Sequence, residues 1–178
     1  ELVSFLHDGI EYVWQGLPEF WDGQAPILFP VCCSPKDGKM AHAGVEYPMP
    51  KHGFAKDGDF EVIFMSKNKV VLEQRETDET LRMFPFCYSL KAEYTLLEDG
   101  FDVRFVVRNL DRNEMTFCIG GHPGFNCPMN EGEKFEDYSL VFDNAEGAVA
   151  HNCDLDAGGY MSPDMPALDY IKDGKFDL

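Results

Sequence analysis

The chain has 178 residues, enough for one sizeable domain or a large part of a bigger one, and its 44% hydrophobic and 13% aromatic content suits a folded globular protein. A formal net charge of −17 argues against partners with a phosphate backbone or an anionic membrane surface, and no apolar run is long enough to span a bilayer. No secretory leader or lipidation signal is legible. Adjacent Cys32 and Cys33 suit an ordinary disulfide poorly, and the six cysteines show no C-x-x-C unit or zinc-type spacing. The reading is therefore a cytoplasmic protein with reduced thiols, Cys118 in a buried strand and no Cys118–Cys127 bridge.

Strand signals dominate from the first residues. "ELVSFLHDGIEYVWQG" reads as two short runs reversing at His7-Asp8-Gly9, where Asp-Gly suits a tight hairpin. "LPEFWDGQAP" offers a single helical turn, with Pro18 near its start. "FEVIFMSKNKVVLEQRE" is a second hairpin around a polar Ser66–Lys69 turn. "YSLKAEYTLLEDGFDVRFVVRNLD" is the clearest: Leu90, Ala92, Tyr94 and Leu96 point one way, Glu98-Asp99-Gly100 turns the chain, and Val103, Phe105 and Val107 return on alternate positions. "MTFCIGG" and "YSLVFD" add two more strands, and helical periodicity is weak throughout. Many short strands with Gly and Asp turns predict an all-β fold, an antiparallel sandwich or barrel. Residues 143–178 turn rich in Gly, Asp and Pro and are read as an irregular segment of a single domain.

Two of the five histidines stand out. His7, His42 and His151 are read as solvated surface or loop residues. His52 in "PMPKHGFAKDGDF" and His122 in "CIGGHPGFNCP" each sit among small residues with an aromatic ring close by. Imidazole exchanges protons near neutrality, and Phe54 and Phe125 offer flat faces to a ring-shaped ligand. The shared setting predicts that His52 and His122 line one cleft. Rival chemistries find less support. Without His-x-His or His-Glu-x-x-His a metal site is not expected, and no nucleophile elbow or phosphate-cradling glycine loop is present.

"EYVWQG", "FWDGQAPILFP", "KHGFAKD", "RMFPF" and "GGHPGFNCP", in this order, resemble the aldose 1-epimerase (galactose mutarotase-like) family, in particular a bacterial branch that includes the lactose-operon X-type proteins. The resemblance covers residues 1 to about 142 and implies a large, curved antiparallel β-sandwich, a supersandwich incomplete at both ends of this chain. It implies interconversion of the α and β anomers of a free aldohexose without cofactor or metal. A carboxylate takes the C1 hydroxyl proton while a histidine protonates the ring oxygen. By motif, His122 falls on the general acid and His52 on the histidine that holds and polarises sugar oxygens, with Phe54, Lys56, Phe125 and Asn126 as substrate-binding candidates. Three departures stand out. "ELVSF" resembles the continuation of a preceding strand, so the sequence opens inside one. Ser34 lies where this branch carries an arginine, leaving Lys36 or Lys56 as substitutes without the planar fork of a guanidinium. The family's carboxylate motif is not found and is expected beyond Leu178. A non-catalytic carbohydrate-binding or sensing module on the same fold is the alternative reading, and a metal-dependent cupin-type barrel a further one.

Overall fold

The computed structural model describes residues 1–141, 153–154, 160–161 and 175–178. In chain order the strands are β1 Leu6–His7, β2 Ile10–Glu11, β3 Ile27–Leu28, β4 Lys39–His42, β5 Val45–Pro48, β6 Glu61–Met65, β7 Lys69–Arg75, β8 Tyr88–Leu96, β9 Phe101–Asn109, β10 Gly120–Gly121, β11 Ser139–Val141, β12 Cys153–Asp154, β13 Tyr160–Met161 and β14 Lys175–Asp177. The α-helix described among them is α1, Asp78–Met83. The chain divides into two compact units, Glu1–Pro26 with Gly121–Leu178, and Ile27–Gly120.

The second unit holds a four-stranded antiparallel meander in the order β6-β7-β8-β9. Its register explains the alternation in the sequence. Ala92 lies between Leu72 and Phe105, and Leu90 between Gln74 and Val107, so one face of the sheet is apolar. The next residue along each strand turns to the other face, where Lys69 reaches Glu93 at 2.7 Å and Glu73 lies 3.4 Å from Arg75. Phe29 is the hub of the core, with ring centroids 5.1 Å from Tyr88, 5.8 Å from Phe84, 6.1 Å from Phe54 and 5.6 Å from Phe117. Two polar groups enter this core as a satisfied pair. The Tyr88 hydroxyl donates to Gln74 Oε1 and Gln74 Nε2 donates to the Ala55 carbonyl, both at 3.2 Å. Burial pushes the Tyr88 phenol up to about 12.

In the first unit β1 and β2 form the expected hairpin. Asp8 and Gly9 both take positive φ (51° and 82°), as a two-residue turn of the right hand for a hairpin requires. Glu11 locks its base by accepting from Ser4 Oγ at 2.5 Å and from the Phe5 and Val13 amides at 2.8 and 2.9 Å. The 17–21 stretch makes its single turn, with the Phe20 and Trp21 amides donating to the Leu17 carbonyl. β11 pairs with β14, and β12 with β13.

Several expectations change. "PKDGKMAHAGVEYP" contains a hairpin, β4–β5, turning on Ala43 and Gly44, so His42 lies on a strand, half-buried, with its ring 4.7 Å from Phe86, and is not a solvated loop residue. Residues Met115–Ile119 form no regular strand, although the Cys118 amide donates to the Pro30 carbonyl. Met115 is buried in the core and Ile119 packs against it, which leaves Cys118 between them pointing outward; it is exposed, not buried. Cys32, Cys33, Cys87, Cys118 and Cys127 are free thiols. Most of 143–178 lies outside the described residues, but β12, β13 and β14 fall in the stretch read as irregular; strands of two or three residues carry no alternation to read. Among the described residues, no helix is long and apolar enough to cross a membrane, which says nothing of a β-barrel.

Among the described residues four carboxylates are held below the ordinary glutamate range: Glu11 chiefly by the Ser4 hydroxyl, Glu73 by the Ser89 hydroxyl, Glu93 by the Lys69 ammonium and Glu133 by the Tyr138 hydroxyl. Lowered native values mean that the unfolded chain binds more protons in acid. Their stabilisation is complete above the unfolded value near 4.5 and disappears as pH falls through the lower native values. Thermal melts should therefore show a midpoint flat from neutrality down to about pH 5 that drops below it. A midpoint unchanged at pH 3 would refute the assignment.

Candidate active site

The His122 loop belongs to the first unit, and its backbone is held at both ends of the turn. The His122 amide donates to the Pro26 carbonyl at 3.1 Å and the Gly124 amide to the Gln24 carbonyl at 2.7 Å. Further on, the Asn126 amide donates to the Tyr12 carbonyl at 2.9 Å, and its side-chain Nδ2 donates to the carbonyls of Glu11 and Val13 at 2.8 and 3.1 Å. Asn126 thus uses its carboxamide hydrogens to fasten the loop to the hairpin. His122 is exposed, and one side of its ring rests on Trp21, centroids 5.1 Å apart at 52°.

At Gly124, beside this histidine, the space that a missing side chain leaves is filled by the protein. A Cβ there would stand 2.9 Å from Trp14 Cβ and 2.9 Å from the Trp21 ring. Phe125 is 49% exposed and lines an open cavity of about 480 Å³ with Glu11, Trp14, Asn126, Met129 and Phe135. Phe125 and Asn126 are therefore brought together, whereas His122 is not among the residues lining that cavity. Rings with polar groups between them suit the apolar face and hydroxyl rim of a sugar.

His52 belongs to the second unit. It takes φ +66°, a left-handed conformation uncommon for a residue with a side chain, and Gly53 follows at +72°. The turn exists because the Phe29 carbonyl accepts from both the Phe54 and Ala55 amides, at 3.0 and 3.2 Å, which brings residue 53 against the Phe29–Pro30 backbone. Only glycine fits there: a Cβ on Gly53 would lie inside contact distance of the Phe29 carbonyl oxygen and 2.7 Å from Pro30 N. The strained backbone presents a half-buried imidazole whose Nδ1 lies 2.8 Å from the Cys32 carbonyl oxygen. A carbonyl can only accept, so the neutral ring carries its proton on Nδ1, and Nε2 becomes the acceptor nitrogen. Gly120 serves the same neighbourhood: a Cβ there would stand 3.2 Å from Cys32 Sγ.

Two other candidates lie in the second unit. Phe54 is 5% exposed, its ring between Phe29, Phe84 and Tyr88 and only its edge on a small groove of about 280 Å³ beside α1, so it is a core residue, not an open stacking face. Lys56 is ion-paired with its neighbour Asp57 at 2.6 Å. Of the other groups considered for the arginine's place, Ser34 is half-buried and Lys36 exposed. Among the described residues no cluster of His, Cys, Asp and Glu could hold a metal ion. The residues that sequence reasoning passed over are Trp14 and Trp21. Their signal was there to read, since they are the only two tryptophans and both lie in glycine-containing segments, "EYVWQG" and "FWDG".

Comparison with known proteins gives the family. The family model for aldose 1-epimerase matches residues 1–163. Protein LacX (plasmid) of Lactococcus lactis subsp. lactis is 39% identical over 145 residues, covering 78% of this chain and 48% of that protein. Among solved structures, a galactose mutarotase-like protein from Lactobacillus casei is 33% identical with a TM-score of 0.82, covering 96% of this chain and 58% of that one. A galactose mutarotase related enzyme from Lactobacillus acidophilus is 30% identical with a TM-score of 0.81, covering 97% and 56%. The chain spans about half the length of the curated relatives it matches. With these neighbours the all-β, antiparallel sandwich class expected from the strand pattern stands. The chain belongs to the aldose 1-epimerase family, in the branch of the LacX proteins.

Proposed function

We propose that the protein acts in the cytoplasm on a free aldohexose as an aldose 1-epimerase, with His122 as general acid and His52 holding a sugar hydroxyl. A carboxylate takes the proton of the C1 hydroxyl, the bond from C1 to the ring oxygen breaks, and its electron pair stays on that oxygen. His122 gives that oxygen a proton. The open aldehyde turns about the C1–C2 bond, and the reverse transfers close the ring on its other face. Such chemistry needs one acid and one base working near neutrality, which an imidazole and a carboxylate supply. The observation that carries the reading is the exposed His122 imidazole on a backbone pinned by two hydrogen bonds. The Nδ1-protonated tautomer of His52 adds to it, since its Nε2 would accept a hydrogen bond from a sugar hydroxyl. A net charge of −17 weighs against a phosphorylated sugar as substrate.

The test is polarimetry on freshly dissolved α-glucose and α-galactose. With protein extended far enough to supply the carboxylate expected beyond Leu178, optical rotation should relax to equilibrium faster in proportion to added protein. A second reading, a sugar-binding module without turnover, draws on the cavity lined by Trp14, Phe125 and Phe135. Saturable binding by calorimetry with no acceleration for any aldose tried would favour that module and sink the epimerase.

A further inference from the structure

We propose that the outer edge of β6 docks a second copy of this chain, strand against strand and antiparallel about Phe64, so that the protein forms a closed twofold pair. The inference stands apart from the sugar chemistry and from the reading of His122.

β6, Glu61–Met65, ends the four-stranded sheet on one side, and among the described residues no strand lies beyond it. The outward N–H and C=O groups of such a strand are a template for pairing with another. Val62, Phe64 and Met65 are 55%, 51% and 75% exposed, and Ile63 among them 39%. β9, the opposite edge, is guarded instead, since its exposed positions include Asp102, Arg104 and Arg108. An apolar run on an unguarded edge calls for a partner, and the charges around it say which. Residues 56–69 carry Lys56, Lys67 and Lys69 against Asp57, Asp59 and Glu61, so this stretch is locally neutral in a chain of net charge −17. Two such chains repel each other least where neutral meets neutral. The charges are also ordered, with carboxylates before the apolar run and Lys67 after it. Glu61 and Lys67 stand three positions on either side of Phe64, so an antiparallel pair centred there sets each Glu61 opposite the other copy's Lys67, and Ile63 opposite Met65. A parallel pair in register would set like charges together. A β-bulge interrupts the pairing with β7 between Val62 and Phe64. Bulges twist an edge and shorten the ladder it can offer. With β9 charged and β6 taken up by one partner, the contact closes at two chains and does not propagate. A five-residue edge buries less than the ~1,200 Å² of a standard interface, so the pair is weak and depends on concentration.

The closing experiment is sedimentation equilibrium at about 10 µM to 1 mM protein, the range of weak association. The weight-average mass should climb from one chain towards two and level there. Glu61→Lys and Lys67→Glu each set like charges opposite one another at both ends of the pair, and each should weaken the dimer about tenfold. The double variant restores opposite charges and should return the dissociation constant to within about threefold of the wild type. Phe64→Lys should leave a monomer. All four variants alter exposed side chains, so their melting midpoints should stay close to that of the wild type. If Phe64→Lys does not fold, the charge-reversal series carries the test. A protein that stays monomeric throughout overturns the inference. So does a dimer that ignores the single reversals, or one that the double variant fails to restore, since neither behaviour comes from antiparallel pairing at β6. Mass that climbs past two chains refutes the closed pair. If protein extended to the length of its relatives is monomeric where this chain dimerises, the added segment takes the edge, which overturns the second copy as its occupant.

Discussion

Replacing His122 with glutamine is expected to slow mutarotation by about 10² to 10⁴-fold, the usual worth of a positioned proton-transfer group, while sugar binding changes little. Glutamine keeps polarity and approximate reach, but its amide cannot give up a proton near neutrality. The backbone contacts at the Pro26 and Gln24 carbonyls are main-chain bonds, so the loop should survive the change. His7→Gln is the control: His7 is exposed at the end of β1, with Asp8 3.6 Å away, and its loss should leave the rate unaltered. His52→Gln should divide its effect differently. A residue that holds a hydroxyl in ground and transition state alike contributes uniform binding, so KM should rise roughly two- to tenfold, the worth of one hydrogen bond, with kcat less affected. A His122→Gln protein that relaxes sugars at the wild-type rate would remove the imidazole from the mechanism.

The parts of this molecule that were legible in the sequence are those where one physical rule acts alone. β8 and β9 are nine residues each and pair along their full length, so alternation reported their register before any coordinates. Asp8-Gly9 reported a hairpin because its backbone must be left-handed at both positions. α1 escaped, since six residues are too few to show a helical period; its remaining signal was the Thr77 and Thr80 capping pair. The β4–β5 hairpin escaped because Lys39–His42 alternates half-buried with exposed residues, a contrast too shallow to read.

Glycine is ambiguous in another way. A sequence reports the absence of a side chain but not what occupies the vacancy. Near His122 the occupants are two indoles, near His52 the Phe29 carbonyl, and at Gly120 a thiol. The same ambiguity separated the two phenylalanines. "HGF" and "HPGF" look alike, yet Phe54 follows a turn that runs into the core and Phe125 one that stays at the surface. Proximity in sequence to a histidine was a good guide to the loop and a poor guide to the direction of its neighbours.

The largest effect on stability should come from Gly53→Ala. Two costs coincide at that position. A side chain at φ +72° carries about 1–3 kcal/mol of backbone strain, and a methyl group driven onto the Phe29–Pro30 backbone adds about 1–3 kcal/mol or more of overpacking. The neighbour that would have to yield is main chain, and its carbonyl already accepts two hydrogen bonds from Phe54 and Ala55. Together these amount to about 3–5 kcal/mol, which for a chain of this size lowers the melting midpoint by roughly 10 °C. Gly9→Ala separates the two terms, because Gly9 has a similar φ of +82° and nothing within 4 Å of the added Cβ, so it should show the strain alone. Equal shifts for the two variants would mean that the clash at residue 53 is relieved at no cost. His52→Asn completes the set, since asparagine accepts the left-handed backbone more readily than most residues. It should melt within a few degrees of the wild type and still bind sugar less tightly, separating what this turn does for the fold from what its imidazole does for a ligand.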